Sequence, residues 1–346
     1  MTKLSSAFKL HPMTIPSSQL TPFGATASIP GQVFMGLDVG GTKIEICALH
    51  TSPPPARPAM VYRERLPTPQ GDYEATLEVI HTLVTQCTQA LQIPWPQAVG
   101  VGLPGSLDAR SQRVRGSNSL VLNGKAMAQD LGRRLACQVH VQNDANCFAL
   151  SEAMDGAAQG QAMVFGVIIG TGCGGGIVHE RRIWSGANRL GGEWGHTPLP
   201  WADPVERGRP PCWCGKASCM ERFVSGTGFE EDHFRVSGES LKAPQIVEAA
   251  RLGHSSAQLS LARYIDRLAR GLSGVVNIVD PDCIVLGGGM SLVDEIYAPL
   301  QSKLASYSFY SGSHTPILKA AHGDSSGVRG AAWLSQENAA SWVNSI

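Results

Sequence analysis

The chain has no surplus of either charge. Its 28 Lys and Arg balance 28 Asp and Glu over 346 residues. No basic stripe runs along it, which argues against a nucleic-acid partner, though not against a locally basic site. Long apolar runs are missing too: none approaches the ~20 residues that span a bilayer, so no membrane is expected. There is no P-loop, G-x-x-x-x-G-K-[ST], and no C-x-x-C redox pair. The nine cysteines are odd in number and spread singly apart from one group. That is unlike a secreted disulfide framework and points to a reducing cytoplasm. Residues 1–34 contain neither an acid nor an arginine and lack the continuous apolar core of a secretory signal. They read as a disordered extension, too short for a helix-turn-helix domain.

The length suggests two domains, at about 100–200 residues each. Glycine is plentiful, with 39 residues, many of them gathered at a few turns. The folded part opens with VFMGLDVGGTKIEICAL at 33–49. Its pattern reads as a hairpin with Gly40 and Gly41 in a turn that needs positive φ. Asp38 lies in the first strand, where a buried carboxylate needs a partner such as a cation, and Thr42 and Lys43 follow the turn within reach of phosphate oxygens. A second stretch, VFGVIIGTGCGGGIV at 164–178, places Gly170, Gly172 and Gly175 in a formal G-x-G-x-x-G. The dinucleotide fingerprint needs a helix directly behind it, and here Gly176, Ile177 and Val178 lead into another strand. Two strand–turn–strand units, each opening a βαβ series, imply an internally duplicated α/β protein whose turns expose N–H groups as anion nests. In DPDCIVLGGGMS, 280–291, a buried strand ends in Gly287, Gly288 and Gly289 before an amphipathic helix, a backbone surface suited to a flat heterocycle.

VHVQNDANCFALSEAMDGAA, 139–158, reads as strand then helix, with Asn143 or Asp144 as N-cap. Asp144 either caps the helix and no more, or stands at the junction as a proton acceptor. VGVGLPGSLD, 99–108, ends a strand in a loop able to hold a small polar ligand. His196 precedes the cysteine group to give H-x15-C-x-C-x4-C with Cys212, Cys214 and Cys219. One imidazole and three thiolates fit a closed tetrahedral structural zinc set; free buried thiols are the competing reading.

LDVGGTK, NDAN, GTGCGGGI, GEWGH, CWCGKASCMER and the late LGGG occur in the order seen in the ROK family of sugar kinases and repressors. The chain resembles that family from residue 35 to about 338, and within it the bacterial fructokinases most. LPTPQGDYEAT, GHTPLPW, SGTGF and HGDSSGVRGAAWL add to the likeness. The resemblance implies an α/β, two-domain actin/hexokinase-like (ribonuclease H-like) fold with a cleft between duplicated domains. It implies a small domain of 35–145 plus a C-terminal helix at about 325–346, and a large domain of 146–324 carrying a zinc-bound loop at 196–221. The implied activity is ATP- and magnesium-dependent phosphorylation of D-fructose at the 6-hydroxyl, in the cytoplasm, by a homodimer. Glucose, mannose, N-acetylglucosamine and N-acylmannosamine are the alternative substrates, and a sugar-responsive transcriptional regulator is the alternative of another class. By the same resemblance, Gly36, Asp38, Gly40, Gly41, Thr42 and Lys43 hold ATP and magnesium. They are joined by Gly170, Thr171, Gly172, Gly174, Gly175, Gly176 and Ile177, with Gly287, Gly288 and Gly289 near the adenosine. Asp144 is the general base. Gly105, Ser106, Asn143, Glu193, His196 and Glu221 hold the sugar, while His196, Cys212, Cys214 and Cys219 hold Zn2+.

Overall fold

A computed structural model describes residues 31–51, 58–209, 211–312 and 314–336. The expected N-terminal extension lies mostly outside them. Its last three residues do not belong to it, because the first strand already begins at Gln32.

The chain builds the same sheet twice. In the first lobe, β1 (Gln32–Val39) and β2 (Lys43–Thr51) form the expected hairpin, and β3 (Ala59–Pro67) extends it antiparallel. Helix α1 (Tyr73–Leu91) then crosses to β4 (Ala98–Leu103), which lies parallel to β1. The chain passes through a short hairpin, β5 (Ser106–Leu107) and β6 (Val114–Arg115), and helix α2 (Met127–Leu135) to reach β7 (Gln138–Asn143). The sheet order is β3-β2-β1-β4-β7. Asp72 caps α1 by accepting from Ala75 N at 3.0 Å.

Helix α3 (Asp144–Met154) leads into the second lobe, where β8 (Met163–Ile169), β9 (Cys173–His179) and β10 (Arg182–Ile183) repeat the antiparallel start. Helices α4 (Pro204–Arg207), α5 (Glu221–Val224), α6 (Gly226–Ser237), α7 (Ala243–Arg251) and α8 (Ser255–Val279) follow. Strand β11 (Cys283–Gly287), helix α9 (Tyr297–Tyr307) and β12 (Ile317–Lys319) complete a sheet ordered β10-β9-β8-β11-β12. Position for position this is the first order again: an antiparallel edge of three strands, then two parallel additions. Helix α8 follows from its stripe of Leu261, Tyr264, Ile265, Leu268, Leu272 and Val276, all buried at the spacing of one helical face.

The last helix, α10 (Ser326–Leu334), returns to the first lobe and packs on β1, β4 and α3. Glycine makes that approach possible. A β-carbon would stand 2.1 Å from Ala332 N at Gly36, 1.8 Å from Ala331 O at Gly100, and 1.7 Å from Cys147 O at Gly330. Three buried clusters result: one inside each lobe, and a third on α3 and α10 that joins the sheets through Phe34, Leu49, Phe148, Val285 and Trp333. The fold is therefore the two-domain actin/hexokinase-like kind. Among the described residues no helix is long and apolar enough to cross a membrane.

Candidate active site

The parallel strands set the centre of the site. Asp38 pairs in register with Gly102, and Leu103 pairs with Asn143, so β1 and β7 deliver their carboxyl ends to one edge of the first sheet. Asn143 caps α3 and leaves Asp144 as the first helical residue. Its Oδ1 accepts from Ala145 N at 2.8 Å and Asn146 N at 3.3 Å, while its Nδ2 donates to Gly105 O at 2.9 Å. Asp144 Oδ1 shares only the Ala145 N–H, at 2.8 Å, so the cap does not depend on it. Burial pushes its carboxyl up to about 6, the Ala145 N–H opposes that, and the charge of Glu193 adds to it. Asp38 is pushed up to about 7, first by burial and then by repulsion from Asp144 and Glu45. Two half-buried carboxyls, both raised first by burial and each also by a neighbouring carboxylate, Asp144 for Asp38 and Glu193 for Asp144, form a place that a cation would relieve. Asp38 makes no hydrogen bond with its side chain among the described residues, which leaves its oxygens for such an ion.

The glycine turns differ from expectation in one respect. Gly40 N donates to Lys43 O at 3.0 Å, and neither Gly40 nor Gly41 has positive φ; the same holds for Gly170 and Gly172. What the glycines supply is clearance: a β-carbon at Gly170 would meet nothing within 4 Å, and one at Gly41 only Ser119 Oγ at 3.4 Å. Thr42, Lys43, Thr171 and Gly172 are exposed around these turns. Gly288, with φ +81, stacks its backbone on Ile169, where a β-carbon would lie 2.7 Å from the carbonyl, and Gly289 beside it is open. Five residues expected at the nucleotide are also close-packing positions. Gly36 receives α10, and a β-carbon would stand 2.6 Å from Trp194 at Gly175, 2.6 Å from Ala145 O at Gly176 and 2.4 Å from the Phe148 ring at Gly287, while Ile177 is buried in the core. A β-carbon at Gly174 would stand 3.2 Å from Ala145. All lie within a strand or at its very end, packed against neighbouring elements. The helix expected directly after Gly289 starts only at Tyr297, behind two short 3-10 turns.

Among the residues expected to hold the sugar, Gly105 needs its left-handed backbone, φ +85, and a β-carbon there would stand 2.5 Å from Arg115 O. Ser106 Oγ accepts from Arg115 Nε at 3.4 Å. Glu193 precedes a 3-10 turn, Trp194–His196, which carries His196 to the cysteines. His196 Nδ1 lies 3.7 Å from Cys212 Sγ, Cys214 Sγ lies 3.6 Å from Cys219 Sγ, and all four ligand atoms fall within 4.8 Å of one another. Zn–S bonds of about 2.3 Å at tetrahedral angles place sulfurs about 3.8 Å apart, so the donor set, in type and in these two distances, fits the ion. A bridge between Pro198 and Cys219, with Met220 N donating to Thr197 O at 2.9 Å, closes the loop at its base. The next residue in the chain, Glu221, reaches back to the second glycine turn: its Oε2 accepts from Cys173 N at 3.1 Å, and its Oε1 accepts from Trp213 Nε1 at 2.8 Å.

The profile of the ROK family matches residues 34–338. The chain belongs to the ROK family. It is 38% identical over 306 residues to an N-acetyl-D-glucosamine kinase of Photobacterium profundum, covering 87% of this chain and 99% of that one. It is 39% identical over the same length to an N-acetyl-D-glucosamine kinase of Vibrio cholerae, with equal coverage. A ROK hexokinase of Thermus thermophilus has the same fold at a TM-score of 0.76 and 27% identity, covering 87% of this chain and 97% of that chain.

Within this ROK protein, two contributors escape a reading of motifs alone. Gly226 N donates to Gly170 O at 2.7 Å and Thr227 Oγ1 to Thr171 O at 2.9 Å, so the start of α6 buttresses the second turn. Ser225, a serine cap accepting from Gly228 N at 3.0 Å, was the available signal. Arg115 ties the Ser106 hairpin to the second lobe by donating to Asn188 O at 2.6 Å; nothing in its local sequence distinguishes it.

Proposed function

We propose that this chain transfers the γ-phosphoryl group of ATP to the 6-hydroxyl of N-acetyl-D-glucosamine. At the level of the family it is an ATP-dependent sugar kinase. The N-acetyl-D-glucosamine kinases at 38–39% identity over nearly their whole length favour this amino sugar over the fructose that the motif order suggests. The single observation that carries the chemistry is the Asp38–Asp144 pair at one strand edge, with Asp144 raised to about 6 by burial.

In this reading the cleft separates residues 32–145 with α10 from residues 146–324. Asp144 accepts the proton of the sugar hydroxyl, the freed oxygen attacks the γ-phosphorus, the bond from that phosphorus to the bridging oxygen breaks, and ADP leaves. A carboxyl near 6 is mostly ionised at neutral pH yet still basic enough to take the proton. Asp38 is placed to hold magnesium, which when bound neutralises phosphate charge. The glycine turns at Gly40–Lys43 and Gly170–Gly172 offer backbone N–H groups to the phosphates, and Gly288–Gly289 an open surface for the base. Asn143, Gly105, Ser106, Glu193, His196 and Glu221 position the hydroxyls. His196, Cys212, Cys214 and Cys219 hold structural zinc, which when bound supplies rigidity rather than reactivity.

Coupled ADP-release kinetics with N-acetylglucosamine, fructose, glucose, mannose and N-acetylmannosamine test this. The expected result is the highest kcat/KM for N-acetylglucosamine, with a 6-phosphate identified by phosphorus NMR. A higher value for fructose reverses the substrate assignment, and no sugar-dependent ADP release from any of the five removes the kinase reading.

A further inference from the structure

Trp213 stands between two cysteines of the metal cluster and is 70% exposed. It is not a loose surface group. Its Nε1 donates to Glu221 Oε1 at 2.8 Å, and its ring meets His196 edge-on, centroids 5.0 Å apart at 84°. The backbone beneath it is closed by Cys212 N to Lys216 O at 2.8 Å and Gly215 N to Cys212 O at 2.9 Å. An indole held at two points by residues assigned to the sugar, and otherwise exposed, loses little conformational freedom when a ligand lands on it. The π face carries negative potential, and the C–H hydrogens on one side of a pyranose ring present the complementary sign. Glu221 adds a second observation. Both of its oxygens are engaged by protein donors, Cys173 N and Trp213 Nε1, so a hydroxyl reaching Oε1 must share that oxygen with the indole or displace it.

We propose that Trp213 is a specificity-determining residue of the sugar site: its ring walls one C–H face of the bound hexose, and its N–H orients Glu221 for a sugar hydroxyl. This rests on the reading that a hexose binds at Glu221 and His196. The test uses the full chain with its zinc content measured, as wild type, Trp213→Gly and Trp213→Phe. For Trp213→Gly, KM for N-acetylglucosamine rises roughly tenfold, the scale of one good aromatic contact, while KM for ATP stays within about twofold of wild type. For Trp213→Phe, the ring survives and most of the sugar affinity is kept, but the change in tryptophan fluorescence that sugar alone produces in the wild type is lost. An unchanged sugar KM in a zinc-loaded Trp213→Gly protein overturns the proposal, as does a full fluorescence response in Trp213→Phe. If Trp213→Gly sheds its zinc, the fluorescence of Trp213→Phe decides by itself. Wild type inactive on every hexose would remove the kinase reading instead, whereas an active wild type with an indifferent Trp213→Gly removes only this inference.

Discussion

Replacing Asp144 with asparagine separates catalysis from folding unusually well, because the cap of α3 belongs to its neighbour. Asn143 Oδ1 satisfies Ala145 N and Asn146 N, so Asp144→Asn leaves the helix start intact and removes only a proton acceptor. Loss of a general base costs about 10²–10⁴-fold, and kcat is expected to fall by that order with sugar KM little changed. Stability is expected to move the other way. The folded carboxyl sits near 6 against an ordinary 3.8, so its ionised form is disfavoured by up to about 3 kcal/mol. Well below 3.8 the group is protonated in both folded and unfolded chains and there is no penalty. The penalty grows between about pH 4 and 6 and is complete above that. The variant, which never ionises, should therefore melt at the wild-type temperature at acid pH and above it at pH 7. Parallel assays of ADP release and calorimetric melting at pH 4, 5, 6 and 7 check both halves. Near-normal kcat in the variant would take Asp144 out of the mechanism; equal melting temperatures across the series would show that its burial carries no strain.

The acid limb of wild-type kcat/KM should bend near pH 6, with Asp38 and Asp144 titrating as a pair. Glu193→Gln should move that bend downward, because removing a neighbouring negative charge favours ionised Asp144; an unmoved bend would exclude their electrostatic contact. Cys212→Ala should cost the single expected zinc per chain, raise sugar KM and lower the melting temperature, with ATP affinity changing little. Full activity in metal-free wild type would refute the site. Gly330→Ala sets a methyl 1.7 Å from Cys147 O and should destabilise at the upper end of the roughly 1–3 kcal/mol of overpacking or beyond, read by chemical denaturation; a neutral result would mean α10 can lift from α3 freely.

Local sequence determined the two hairpins, the β7–α3 junction and the H-x15-C-x-C-x4-C spacing. Each is a short-range property: a turn, a cap or a periodicity acts over a few residues and leaves its mark in the letters. Glycine was the ambiguous letter. Gly40 and Gly36 stand four residues apart in one motif, yet the first lies in the turn just past β1 while the second, inside the strand, admits the backbone of Ala332, and only the finished packing says what lies beside each. The same limit hid Arg115, Thr227 and the engagement of Glu221 by Cys173 and Trp213, contacts spanning from 8 to 73 positions. It also withheld the raised carboxyl of Asp144. A charged group's protonation depends on the water it has lost and the charges brought beside it, and both are set by distances that exist only once the lobes have folded.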